Sequence, residues 1–111
     1  MKLKTLKRKG TCRIAVSGEA TIYGVGEAMP VFRKALAESQ RVEVDLSRVS
    51  EMDSAFCQLL LAARRQGEQD GTPVEIVAQS DVSEEMMIYL SALSPKRSVL
   101  KAAYGDPHDG S

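Results

Sequence analysis

Val42-Glu43-Val44-Asp45-Leu46-Ser47-Arg48-Val49-Ser50-Glu51-Met52-Asp53-Ser54-Ala55-Phe56-Cys57-Gln58-Leu59-Leu60-Leu61-Ala62-Ala63 is the stretch that decides the fold. Val42, Val44 and Leu46 alternate with Glu43 and Asp45, the period-2 pattern of a strand with one buried face. A short polar loop is expected next. Beyond it the period changes: Phe56, Leu59, Leu60 and Ala63 recur at i, i+3, i+4 and i+7, one face of a helix. Asp53 and Ser54 stand where that helix begins, and both are residue types preferred as N-caps. A hydroxyl at this point is expected to be exposed. A phosphate added to Ser54 would meet unpaired helix N–H groups and the positive end of the helix dipole.

Working back toward the N-terminus, Thr11–Ser17 places apolar side chains at 12, 14 and 16, a second half-buried strand that Gly18 ends. Leu3–Lys7 reads as a short edge strand, with Gly10 marking a turn. Val25, Met29, Phe32 and Leu36 form one face of a helix reaching about Ser39. Pro30 predicts that this helix starts near Met29, after an irregular lead-in with Gly24 and Gly26, because an interior proline removes a hydrogen bond.

Working forward, Gly67 or Gly71 stops the second helix, and Pro73–Ala78 is a further strand. Ser80 or Asp81 caps the next helix; Asp81 with Glu84 resembles a capping box. Met86, Tyr89, Leu90 and Leu93 give that helix its apolar face, and Pro95 breaks the pattern. Ser98–Ala103 reads as a last short strand or an amphipathic piece, and 104–111 as a flexible tail. Strands alternating with helices predict an α/β fold with parallel pairs and right-handed crossovers. With so few strands the helices are expected to cover one face. The expected organisation is one domain over 1–103, its core in 11–93.

A chain of 111 residues, 43% hydrophobic and 27% charged, has the composition of one globular domain. Its 15 basic and 15 acidic residues cancel, so net charge gives no support to nucleic-acid binding. Lys2, Lys4, Lys7, Arg8, Lys9 and Arg13 cluster at the start, which reads as an edge guarded by charge. Cys12 and Cys57 are far apart, and Cys57 reads as a buried small hydrophobe. The apolar runs are too short for a membrane span, and no secretory signal is visible. A cytoplasmic location is the expectation.

The chain offers little to catalysis. A Ser–His pair would need His108, the only histidine, which sits in a Gly/Pro/Asp tail far from Ser54. Two isolated cysteines and one histidine make a poor ligand set for a metal. Gly24-Val25-Gly26 lacks the third glycine of a dinucleotide fingerprint and the Lys-Ser or Lys-Thr of a P-loop. The five aromatics are scattered and form no base-stacking platform. The expectation is a non-enzyme with no cofactor and no metal.

Val42–Val49 followed by Met52-Asp53-Ser54 and a leucine-rich helix resembles the STAS domain, the fold of anti-sigma factor antagonists. Gly18–Tyr23 looks like the family's stretch between an early strand and the first helix, and the likeness runs from about Thr11 to Leu93. It implies a mixed sheet of four or five strands with helices mainly on one face. It also implies a regulatory module that binds a protein partner, an anti-sigma factor that is also a serine kinase. The acceptor hydroxyl in such members directly follows the aspartate, which makes Ser54 the phosphorylation candidate here. The implied partner-binding residues are Ser50, Glu51, Asp53, Ser54, Ala55 and Phe56.

The family's usual run is Asp, Ser or Thr, a second Ser or Thr, then Gly; this chain has Ala55 and Phe56 at the last two places. The ring of Phe56 either crowds the docking surface or turns inward. Gln58–Arg64 and Tyr104–Pro107 look like small STAS proteins encoded with chemotaxis components. A lone hydroxyl after the aspartate also suits an accessory subunit of an ABC-type lipid transporter that binds the transporter ATPase. A monomer or weak homodimer is expected, since an exposed edge strand can self-pair.

Overall fold

β1 (Lys2–Arg8) and β2 (Thr11–Ala20) form an antiparallel hairpin. Its two-residue turn is Lys9-Gly10, both with positive φ, 48° and 84°. That turn type carries the same twist as the strands it joins. α1 (Ile22–Glu38), β3 (Arg41–Met52), α2 (Ser54–Asp70), β4 (Val74–Gln79) and α3 (Asp81–Leu93) follow. The computed structural model describes residues 1–93. The expected strand at 98–103 and the tail at 104–111 lie outside the described residues.

The sheet order is β1-β2-β3-β4. β2 pairs with β3, and β3 with β4, in parallel, each through a helical crossover. This is the mixed α/β sheet expected from the sequence. Cys12, Ile14, Val16, Val42, Val44 and Leu46 are all at most 1% exposed and line one face, under the helices. The opposite face carries Arg13, Arg41, Glu43, Asp45 and Glu75, joined by the pairs Arg13–Asp45, Arg41–Glu43 and Arg41–Glu75. One face is therefore dry and one wet, which the strict alternation of β2 and early β3 dictates.

α1 differs from expectation: it begins at Ile22, with Pro30 in its interior. The residues that press it closest to the core are Gly24, Ala28 and Ala35 beside Phe32. Small side chains let the helix lie close to its neighbours. Val25, Met29 and Leu36, expected to lead its apolar face, are half-buried flanks. Pro30 is exposed, so the carbonyl it leaves unpaired can turn to water.

β3 also runs further than expected. The predicted polar loop after Leu46 is strand, paired with β2 through Met52. Two register shifts against β2 make this possible. At the first, Asp45 accepts hydrogen bonds from the Ser47 amide (2.9 Å) and hydroxyl (2.6 Å). α2 ends at Gly71 in the left-handed conformation, while Gly67 stays inside the helix, packed against the Thr72 carbonyl. Ser80 caps α3: its hydroxyl accepts from the Ser83 amide at 3.2 Å. The core residues of α3 are Ser83 and Met87, with Tyr89, expected inside, 59% exposed.

Candidate functional site

All three helices start at the carboxyl ends of the parallel strands: α1 after β2, α2 after β3, α3 after β4. Their N-termini therefore gather at one end of the sheet, the end where open α/β sheets usually present their binding groups. Asp53 is the joint of that end. Its Oδ1 accepts from the Phe56 amide (3.0 Å), capping α2, and its Oδ2 accepts from the Ile22 amide (2.8 Å), the first residue of α1. Thr21, at the α1 cap position, makes no side-chain cap bond. One carboxylate thus closes two helices, and its charge faces the positive end of both. The Asp53 amide in turn donates to the Ala20 carbonyl at 3.2 Å, and its carbonyl accepts from Cys57.

Ser54 follows at the first helical position and is exposed. With the Phe56 and Cys57 amides engaged by Asp53, the open N–H groups of the first turn are those of Ser54 and Ala55. Ser50 and Glu51 are exposed beside it, and Asp53 and Ala55 are half-buried. Five of the six expected partner-binding residues therefore lie together at or near the surface. Phe56 does not: it is 0% exposed and belongs to the core. Of the two readings of its ring, the inward one holds, because the helical period that buries Leu60 and Ala63 turns position 56 the same way.

Next to Phe56 the buried Cys57 thiol lies 3.0 Å from the Met87 sulfur, and burial pushes its pKa up. It packs α2 on α3. Among the described residues no group of three His, Cys, Asp or Glu side chains could hold a metal ion. No helix there is long and apolar enough to cross a membrane.

Two features of this end escaped the sequence reading. Ile22 and Tyr23 are 55% and 95% exposed, directly beyond the amide that Asp53 holds. The sequence predicts that α1 starts only near Met29, and the Asp53 bond that makes Ile22 and Tyr23 its first turn has no local signature. A cleft lined by Met52, Val82, Glu85, Met86 and Tyr89 opens on the α3 side. Val82, Met86 and Tyr89 recur at i, i+4 and i+7; the expected apolar face includes Met86 and Tyr89 but not Val82, and Val82 and Tyr89 are exposed.

Comparison with known proteins bears on the fold and family. An anti-sigma factor antagonist from Mycobacterium paratuberculosis superposes with TM-score 0.71, at 20% identity over 92% of both chains. The unphosphorylated form of the anti-sigma factor antagonist SpoIIAA gives 0.70, at 17% identity over 94% of this chain and 97% of that one. Its phosphorylated form, described as the Bacillus cell fate determinant, gives 0.67 at 16% identity over 92% and 99%. A protein named Mglu is similar over 71% of this chain, with TM-score 0.64 and 16% identity, but that match spans 20% of its length. Comparison with curated proteins finds no match. The family model described as Mlab, STAS domain, matches residues 5–92. With the fold, the Asp53-Ser54 junction and this match in agreement, the chain belongs to the STAS domain family.

Proposed function

We propose that this chain is a regulatory protein–protein interaction module of the anti-sigma factor antagonist type, docking a partner through Ser50, Glu51, Asp53, Ser54 and Ala55 and switched by phosphorylation of Ser54. The observation that carries this reading is the placement of Ser54. Its hydroxyl is exposed on the first turn of a helix whose cap, Asp53, also anchors α1. A phosphate there would add nearly two negative charges between Asp53 and Glu51. The open amides of Ser54 and Ala55 favour it while the carboxylates oppose it. A partner seated on this end meets new bulk and new charge together. The inward turn of Phe56 removes the steric objection to a kinase-type partner, since the ring does not reach the surface.

The test pairs mass with binding. Intact-mass analysis of protein from its native host, with peptide mapping, is expected to place a phosphate-sized adduct on Ser54. Ser54→Asp should weaken capture of the partner and Ser54→Ala should retain it. A phosphate mapped elsewhere, with capture indifferent to both substitutions, would sink the proposal.

A second reading, an accessory subunit bound to a transporter ATPase, is favoured by Ala55. No second hydroxyl follows Ser54, and the matching family model carries the description Mlab. Constitutive docking without phosphate suits that arrangement. Co-purification with a membrane ATPase, together with an absence of phosphate on Ser54 under every growth condition, would select it.

A further inference from the structure

β1 stands at the margin of the sheet and pairs on one side, with β2. The Lys9-Gly10 turn fixes which of its main-chain groups that pairing uses. The residues flanking such a turn, Arg8 and Thr11, exchange both hydrogen bonds. Along the unbroken register Leu6, Lys4 and Lys2 do the same, while Leu3, Thr5 and Lys7 fall in the alternate pairs. The N–H and C=O groups of Leu3, Thr5 and Lys7 therefore point away from β2, and among the described residues no strand takes them. The helix layer does not cover this margin at its middle: Thr5 lies on the helix side, opposite the buried Ile14, and is still exposed.

The side chains along this edge carry one charge. Lys2, Lys4, Leu6 and Arg8 alternate onto the open face of the sheet, and Lys9 follows in the turn. Lys7 is satisfied by Glu38 at 2.7 Å. Lys2, Lys4, Arg8 and Lys9 form no ion pair with a carboxylate of the described residues. Leu6, among them, is 60% exposed. Lysines on an edge commonly guard against stray pairing, and here they turn away a second copy of the chain. An antiparallel pairing centred on Thr5 sets Lys2 opposite Arg8 of the second copy; slid one pleat either way, it sets Lys4 opposite Lys4 or opposite Arg8. The charge that repels a second copy is complementary to an acidic strand. A phosphate surface answers the cations but leaves the carbonyls of Leu3, Thr5 and Lys7 without donors, which an extended main chain supplies at this spacing.

We propose that the outer edge of β1, Lys2–Arg8, takes an extended acidic segment of a protein partner as an added strand, with carboxylates opposite Lys2, Lys4 and Arg8 and an apolar side chain opposite Leu6. Main-chain pairing at Leu3, Thr5 and Lys7 supplies the affinity, and the alternation of charge with Leu6 sets the register. None of Lys2–Arg8 belongs to the docking surface at Ser50–Ala55, so the test uses unphosphorylated full-length protein.

The probe is a blocked peptide of sequence ETITEVE, matched to the strand in antiparallel order, with amide hydrogen exchange read residue by residue. Exchange should slow at Leu3, Thr5 and Lys7, whose amides are open, and stay as it is at Lys4, Leu6 and Arg8, whose amides already bond to β2. Methylating the peptide nitrogens opposite Leu3, Thr5 and Lys7 keeps every side chain but removes the donors, and should weaken binding about tenfold or more. Lys4→Glu, on an exposed side chain, should weaken it about fivefold. The charge-reversed peptide KTITKVK should bind far less. Equal binding of the N-methylated peptide overturns strand addition, as does unchanged exchange at Leu3, Thr5 and Lys7 with about 1 mM ETITEVE. Protection of those amides that rises with protein concentration alone would make a second copy the occupant and overturn the proposal. Binding to phosphatidylserine vesicles that ETITEVE does not displace would make the edge a membrane contact and overturn it too.

Discussion

Replacing Asp53 by alanine removes two hydrogen bonds from two helices at once. Loss of an N-cap costs about 1 kcal/mol, and the Phe56 amide loses that partner. The Ile22 amide loses an ionised acceptor at 2.8 Å; because it is exposed, water replaces part of the loss, leaving about 1 kcal/mol. Removing a negative charge from two helix N-termini adds a few tenths more. The sum is about 2–3 kcal/mol, which for a domain of this size lowers Tm by about 10–20 °C. Asp53→Asn separates the parts. Its single carbonyl oxygen serves one amide while its NH2 confronts the other, so about half of the loss should remain. The assay is urea unfolding of wild type and both variants, with hydrogen exchange read at Ile22. Exchange at Ile22 should accelerate in Asp53→Ala even though that amide lies 31 positions away in sequence. A loss below about 0.5 kcal/mol, or unchanged exchange at Ile22, would refute the shared-cap reasoning.

Three further outcomes are expected. Phe56→Ala should destabilise by about 3–5 kcal/mol, since the ring is wholly buried; equilibrium unfolding checks it, and a loss near zero would mean the ring does not pack as described. Pro30→Ala should stabilise α1 by about 1 kcal/mol or more, the restored hydrogen bond outweighing the extra freedom of the unfolded chain, as a rise in the urea midpoint would show. Asp45 is held below the usual carboxylate range, first by the Ser47 hydroxyl, then by the Ser47 amide and by Arg13, against the opposing effect of burial. A depressed carboxylate stabilises the fold fully above its unfolded pKa of about 4 and loses that contribution as pH falls through the lower folded value. Asp45→Asn should therefore lower stability at neutral pH and flatten the acid limb of the stability curve, while changing little at the lowest pH.

The strands β2 and early β3 were legible because each alternates cleanly over one buried face, and α2 because its apolar period starts directly after a cap; β4, with Val77 38% exposed, was legible as a short apolar run after Pro73. What the sequence hid was set by distant partners. The start of α1 depends on a carboxylate from β3's far end, so local reading saw Pro30 and stopped there. The second half of β3 reads as polar loop, since its two register shifts break the alternation that marks a strand. Tyr89 and Met87 both fit an apolar helix face, and only the position of α3 beside Met52 decides that Met87 goes in and Tyr89 stays out. At the site, Ser54 and its acidic neighbours were legible from residue type and position. Phe56 was not, because an aromatic two residues into a helix fits either side until the helix has a core to face.

The spatial order of the strands repeats their order along the chain. During synthesis each of these four strands therefore meets a neighbour that has already been made, and none of the four must wait for a later one to fill a gap beside it. Hairpin, then one crossover, then another can condense in the sequence in which they leave the ribosome, each step closing a modest loop. The Asp53 carboxylate is the exception to this vectorial order. The first turn of α1 stays without its acceptor until residue 53 has emerged, so that bond registers the arrival of β3 and closes the first half of the domain.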